Sequence, residues 1–297
     1  MPKRTAPIVA TVVLLLSPAL AMADRVGQPQ ASADITATVS GRQIASDAVK
    51  RWTDLGVQTS VSDVVVLDFG ADGLLVAPRG LASGLTASVQ SAADGSVTTS
   101  GTALTAPTGS PSAPFSNVTA TAEATSSVPT WGFWSGGCFA RLNPTNGWMD
   151  TCTQFYKLFN DVDGGYDYWD LHLYSSAFAY NNKGYYLKQS YVRSLKSGGA
   201  TQYWVDWDLG SEHNTGCQQD SLGVSAFGFG LSFGHTFCEK WSPLKYADGG
   251  HMSDTWTKGF FAVTGMRENA LTVLVKVPQG GSPSYSIGYS FGTDHIG

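Results

Sequence analysis

Between Gly223 and Cys238 the chain reads GVSAFGFGLSFGHTFC. Phe227, Phe229, Leu231, Phe233, His235 and Phe237 fall on odd positions, and Val224, Ala226, Gly228, Gly230, Ser232, Gly234 and Thr236 on even ones. Alternation with a period of two excludes an amphipathic helix and predicts one long β-strand. Its bulky face should be turned to a core and its glycine-rich face approached closely by another layer, which makes the strand central.

The same period recurs through the second half of the chain. Trp169, Leu171 and Leu173 alternate with Tyr168, Asp170, His172 and Tyr174. Tyr185, Leu187, Tyr191 and Leu195 share one parity, and Tyr203, Val205, Trp207 and Leu209 alternate with Trp204, Asp206 and Asp208. Leu271, Val273, Val275 and Val277, and then Tyr285, Ile287, Tyr289 and Phe291, close the series. Turn-rich pieces such as Asn181–Gly184 and Gln279–Ser282 separate these segments. The pattern predicts antiparallel sheets packed as a β-sandwich or jelly roll. Cys152, Phe155, Tyr156 and Phe159 instead recur at three and four, which predicts a helix over 150–160.

The first half reads differently. A helix is expected over 43–55 and a buried strand over 62–69, giving a small α+β piece or pro-region at 24–81. Residues 82–130 are almost wholly Ala, Ser, Thr, Gly and Pro, with no Lys, Arg, Trp or Tyr. That composition predicts an extended linker, with thin Thr/Ser/Val strands around 96–99 and 118–121 as the competing reading. Eight of the nine tryptophans follow from Trp131 onward, so the β domain is placed at 131–297. The expected fold is thus mainly β: a C-terminal antiparallel sandwich or jelly-roll-like domain after a small α+β piece and a low-complexity linker.

The N-terminus carries Lys3 and Arg4, an apolar run from Ile8 to Leu16 and small residues before Ala23. This is the order of a secretory signal over 1–23, and the run is shorter than the roughly 20 residues of a spanning helix. The expected location is extracellular or the cell surface, with no transmembrane helix in the mature chain. Four cysteines in an exported chain predict disulfides, and local pairing joins Cys138 to Cys152 and Cys217 to Cys238. A net charge of -5 with no clustered basic stretch argues against a nucleic-acid partner.

Candidate chemistry is sparse. Gly230–Gly234 fits GxSxG, but alternation runs straight through Ser232, leaving no elbow to lift a nucleophile. Asp161, Asp163 and Asp167 bear a loose likeness to a calcium loop, although the glycine is displaced and the closing glutamate is missing. A solvated turn accounts for the same acids, so no cofactor is expected. The more specific constellation is Tyr168, Asp170 and His172 beside Trp204, Asp206 and Asp208. By parity these lie opposite the apolar sets, where rings flanked by carboxylates suit a sugar. The expected function is a secreted or surface binding domain for a glycan or cell-envelope component. The alternative is a polysaccharide hydrolase using Asp206, Asp208, Glu212 or Glu239 as acid and base. A third reading is a membrane-active β-hairpin, because strands of about 9–11 residues cross a bilayer in a barrel.

Overall fold

A computed structural model describes residues 33–79, 86–94, 96–105, 128–197, 201–209, 216–238, 244–248, 250–258 and 263–296. The chain begins with β1 (Ala33–Asp34), α1 (Val39–Asp54), β2 (Val64–Asp68) and β3 (Leu74–Pro78). Two strands follow, β4 (Thr86–Ser91) and β5 (Val97–Thr105), and then three long ones, β6 (Thr130–Asn143), β7 (Gly147–Phe159) and β8 (Tyr166–Ala179). After β9 (Tyr185–Lys196) and β10 (Tyr203–Asp208) come β11 (Cys217–Ala226) and β12 (Phe229–Cys238). The last four are β13 (Leu244–Asp248), β14 (His251–Thr257), β15 (Arg267–Pro278) and β16 (Tyr285–His295).

These strands make a mainly β, sandwich-like fold in which every sheet is antiparallel. One eight-stranded sheet runs β1-β2-β3-β6-β7-β8-β15-β10, and a six-stranded sheet runs β13-β14-β9-β16-β5-β4. Between them lies a core of Trp169, Leu171, Leu173, Val273 and Val275 from the first sheet against Leu187, Val192, Ile287, Tyr289 and Phe291 from the second. Phe139 meets Tyr289 with ring centroids 4.9 Å apart, so the contact crosses from sheet to sheet. The odd-numbered apolar sets of β8, β15 and β16 are the ones the alternation assigned to a core.

The larger sheet is also covered on its other face. There α1 and the β11–β12 hairpin lie over a second core that includes Trp52, Val64, Tyr156, Tyr174, Phe233 and Leu274. The helix is capped by the Thr38 hydroxyl, which accepts from the Gly41 amide at 2.9 Å. Its buried stripe is Gly41, Ala45 and Ala48, small residues that seat the helix close to the strands, followed by the fully buried Trp52. A Cβ on Gly41 would lie 1.9 Å from the Ile35 carbonyl oxygen, so only glycine fits there. Asp150 on β7 fixes the helix to the sheet: Arg51 Nε and Nη2 donate to its two oxygens at 2.7 and 3.1 Å, and Trp52 Nε1 donates at 2.9 Å.

Several expectations are corrected. The stretch from Gly223 to Cys238 is two strands, not one, with ten paired rungs from Cys217↔Cys238 to Ala226↔Phe229. Phe227 and Gly228 form the turn, with φ of 53° and 81°. Positive φ at both central residues is the tight hairpin geometry that matches strand twist. A two-residue turn pairs residues of opposite parity, so β11 turns its even positions inward and β12 its odd ones. Residues 150–160 belong to strand β7 and not to a helix. Strand β7 is buried on both faces, with Tyr156 in one core and Phe155 in the other, which mimics helical spacing. Within the expected linker, β4 and β5 pair with each other and β5 pairs with β16. The 106–127 part of that linker and the expected signal over 1–23 lie outside the described residues. The α+β piece continues into the large sheet through β3 and β6. Both expected disulfides are present, each between directly paired cysteines on neighbouring strands. No helix among the described residues is long and apolar enough to cross a membrane.

The Asp150 anchor makes a direct prediction. Removing Asp150 leaves the buried Trp52 Nε1 without its acceptor and the part-exposed Arg51 without its partner, a loss of about 1–3 kcal/mol. Asp150→Ala should lower the unfolding free energy by that amount, read from the urea midpoint, and a loss under about 1 kcal/mol would remove the anchoring role.

Candidate functional site

The hairpin β11–β12 forms its own two-stranded sheet, laid on the large sheet without joining it. Two side chains of the edge strand β10 hold it there. Asp206 Oδ2 accepts from the Ser225 amide at 2.9 Å, and Asp208 Oδ2 from the Gly223 amide, also at 2.9 Å. Residues two apart on one strand thus meet residues two apart on another, which works because both strands repeat at about 6.6 Å per two residues. Near the tip, Trp131 Nε1 donates to the Phe229 carbonyl at 3.0 Å.

A bulge aims those carboxylates. Trp204 pairs with Val275 and Asp206 with Leu274, so Val205 is an extra residue that reverses parity along β10. Trp204 therefore packs partly buried against the sandwich core, 5.8 Å from Trp207, while Asp206 and Asp208 face the hairpin. Trp204 is the residue that changes side: Tyr203, Val205 and Trp207, assigned by alternation to a core, are exposed, although Trp207 keeps the sandwich side opposite Val273, and Asp206 and Asp208 keep the opposite face.

The expected face on β8 is also covered. Tyr168, Asp170 and His172 are buried, since the hairpin lies over them. The Tyr168 hydroxyl donates to Asp163 Oδ2 at 2.9 Å, and its ring meets Phe227 of the hairpin tip at 5.0 Å. Asp170 Oδ1 accepts from the Thr272 hydroxyl at 2.6 Å, while its other oxygen is buried without a hydrogen-bond partner. Burial pushes this carboxyl up to about 8, so it is protonated at neutral pH.

His172 sits where the hairpin base meets the sheet. Its ring stacks on Phe233 at 3.8 Å with planes 4° apart, and its Nε2 lies 2.8 Å from His235 Nε2. Burial pushes His235 down to about 4 and His172 well below its ordinary range. At neutral pH both rings are uncharged, and one Nε2–H donates to the other's lone pair. Glu268 Oε2 stands 3.9 Å from His235 Nδ1, its carboxyl raised by burial. Around this group opens a cleft of about 650 Å³, between the hairpin base and the end of α1. Gln154, Gln219, Asp220, Ser232, Thr236 and Glu268 supply polar lining, and His172, Tyr174 and Phe233 supply rings.

Of the expected ligand-binding and catalytic residues only His172 lines this cleft, beside Ser232 and His235 of the GxSxG stretch. Asp206 and Asp208 are brought together, but as the hairpin clasp. Glu212 and Glu239 lie outside the described residues. Asp161 Oδ1 accepts from the Asp163 amide at 3.1 Å and Asp163 Oδ1 from the Gly165 amide at 3.2 Å, while Asp167 pairs with Lys157 at 3.1 Å. These acids build a turn and an ion pair, and among the described residues no three His, Cys, Asp or Glu side chains gather as a metal site. Ser232 and His235 point to opposite faces of β12, which separates the serine of GxSxG from its neighbouring histidine. Sequence reasoning missed Tyr174, Gln154, Asp220 and Glu268 as a group. The one available signal was His235, a polar ring among phenylalanines.

Two measurements follow. Unfolded His235 titrates near 6.5 and the folded residue near 4, so the unfolded chain takes up a proton that the folded one refuses between those values. The His235 share of this linkage lowers stability by about 2–3 kcal/mol as pH drops through that window, with His172 acting in the same direction and Asp170 and Glu268 opposing it, so it is read as the difference between the wild-type and His235→Phe urea profiles. Trp204→Ala should destabilise the fold by about 2–4 kcal/mol, as expected for a partly buried ring in a core, and an unchanged melting temperature would contradict that placement. The chain matches no protein-family model, and no curated protein is similar to it, so the cleft and the hairpin themselves carry the functional reading.

Proposed function

We propose that this chain is an exported binding protein that holds a glycan of the cell surface or its surroundings in the cleft at the hairpin base. The observation that carries this reading is the lining. Amides, hydroxyls and carboxylates stand around three ring side chains in a space of about 650 Å³. Hydroxyl-rich ligands are recognised by polar groups placed at the rim, with rings packing against the apolar faces of the sugar. The signal-like N-terminus and the two disulfides support an exported location. The hydrolase alternative is weaker, because Asp206 and Asp208 each commit one oxygen to a hairpin amide and sit away from the cleft.

The test uses the full mature chain against insoluble cellulose, chitin, xylan and peptidoglycan. Retention on at least one of them is expected. Gln219→Ala and Glu268→Gln should each weaken retention by about 1–2 kcal/mol while leaving the melting temperature in place, as for a lost ligand hydrogen bond. Absence of retention on all four, or retention indifferent to both changes, would overturn the assignment.

A further inference from the structure

We propose that the β11–β12 hairpin is a membrane-inserting element: it leaves the large sheet as a unit and, together with hairpins of other copies, forms a β-barrel in a lipid bilayer. This goes beyond the glycan reading and does not depend on it.

The first support is the distribution of side chains. Leu222, Val224, Ala226, Phe229, Leu231 and Phe233 face one side in three alternate rungs, Leu222↔Phe233, Val224↔Leu231 and Ala226↔Phe229. Ser221, Gly223, Ser225, Gly230, Ser232 and Gly234 occupy the other side and are exposed. Asp220 is the only charged residue between the two cysteines. An apolar face for lipid and a small polar face for a lumen is the pattern of a barrel strand, and here two paired strands carry it.

Dimensions agree. Each strand has ten residues, against the roughly 9–11 a tilted spanning strand requires. Counting from the turn, six rungs precede the Asp220↔His235 pair; on strands tilted by about 40° they rise about 15 Å, and the full ten rungs rise about 25 Å, the height of the apolar band. The Cys217↔Cys238 rung then falls at one interface and Phe227, exposed at the tip, at the other, with the Asp220↔His235 pair in the base-side third of the band.

The attachment to the body is of a kind that releases cleanly. The Cys217–Cys238 bridge lies within the hairpin and ties it to nothing else. Among the described residues no backbone ladder joins the hairpin to either large sheet. Its inward side chains are already out of water, so transfer from protein to hydrocarbon keeps them buried. A lone hairpin in lipid would leave two unsatisfied strand edges, which is why copies must combine until the sheet closes. In the folded chain Asp206 and Asp208 cover amides on the β11 edge, the groups that would pair with the next copy. The clasp therefore also guards against early edge-to-edge association.

All four cysteines are bridged, so single added cysteines can be labelled. Phe227→Cys and Ser232→Cys alter exposed positions and Leu231→Cys an inward one; each is labelled with an environment-sensitive fluorophore. The chains are mixed with phosphatidylcholine vesicles and with phosphatidylcholine–phosphatidylglycerol vesicles, at neutral and mildly acidic pH. Lipid-borne doxyl groups should quench the labels at 227 and 231 but not at 232, and trapped dye should leak with a steep dependence on protein concentration. Asp206→Ala combined with Asp208→Ala should speed that leakage severalfold. Labels unquenched by doxyl lipid under every condition, or equal quenching at 231 and 232, would overturn the proposal. Leakage unchanged or slowed in the double variant would overturn the guarding role of the clasp.

Discussion

A sheet whose central strands carry large side chains on both faces must be covered twice. Strands β7, β8 and β15 are such strands: Trp169 and Val275 look into the sandwich, while Tyr156, Tyr174 and Leu274 look the other way. The six-stranded sheet supplies one cover. The second is assembled from two pieces remote in sequence, α1 and the hairpin, lying side by side. Each is fastened by aspartate, Asp150 for the helix and Asp206 with Asp208 for the hairpin. The fastenings differ in kind. The helix is held by an ion pair and the hairpin by side-chain to backbone bonds at a sheet edge.

Polar groups trapped under the hairpin sharpen that contrast. Asp170 is buried with one oxygen unsatisfied, and His172 is buried against a second histidine that burial also keeps neutral. Buried groups of this kind lower the net gain from covering them, since each loses its water and regains little. The apolar rungs near the tip and the rings of Phe233 and Phe237 must offset that cost. The hairpin base, where Asp220, His235 and Glu268 meet, is the costlier end, and it is there that the cleft opens.

Much of the architecture was legible because one of its causes is local. The alternation of β8, β15 and β16 names the sandwich core directly, and both disulfides follow from short cysteine spacing in an exported chain. What was not legible depends on layers. Parity assigns a residue to a face, but whether that face meets solvent is decided by distant segments, so Tyr168, Asp170 and His172 looked open and are covered. The bulge at Val205 puts Trp204 on the face opposite Asp206 and Asp208 without any glycine or proline to announce it. The turn at Phe227–Gly228 escaped because positive φ is usual for Asn or Gly at the first of these positions, while phenylalanine continued the alternation by coincidence.

The cleft and the hairpin are not independent, because His235 belongs to both. It lies on the hairpin's inward face and lines the cleft whose floor includes His172 and Tyr174 of β8. A ligand touching both walls exists as a complex only while the hairpin is seated, so its binding energy adds to the seated state and to no other. A ligand held by β8 and α1 alone would leave the hairpin free. The two proposed activities are therefore coupled with a sign set by geometry: contact with Gln219 or Ser232 restrains the hairpin, and loss of that contact favours its departure. Protonation acts the other way, since a charged His235 facing His172 in a buried position weakens the seat itself. Occupancy of one site and acidity around it would thus set the equilibrium of one structural element, through a pair of rings 2.8 Å apart.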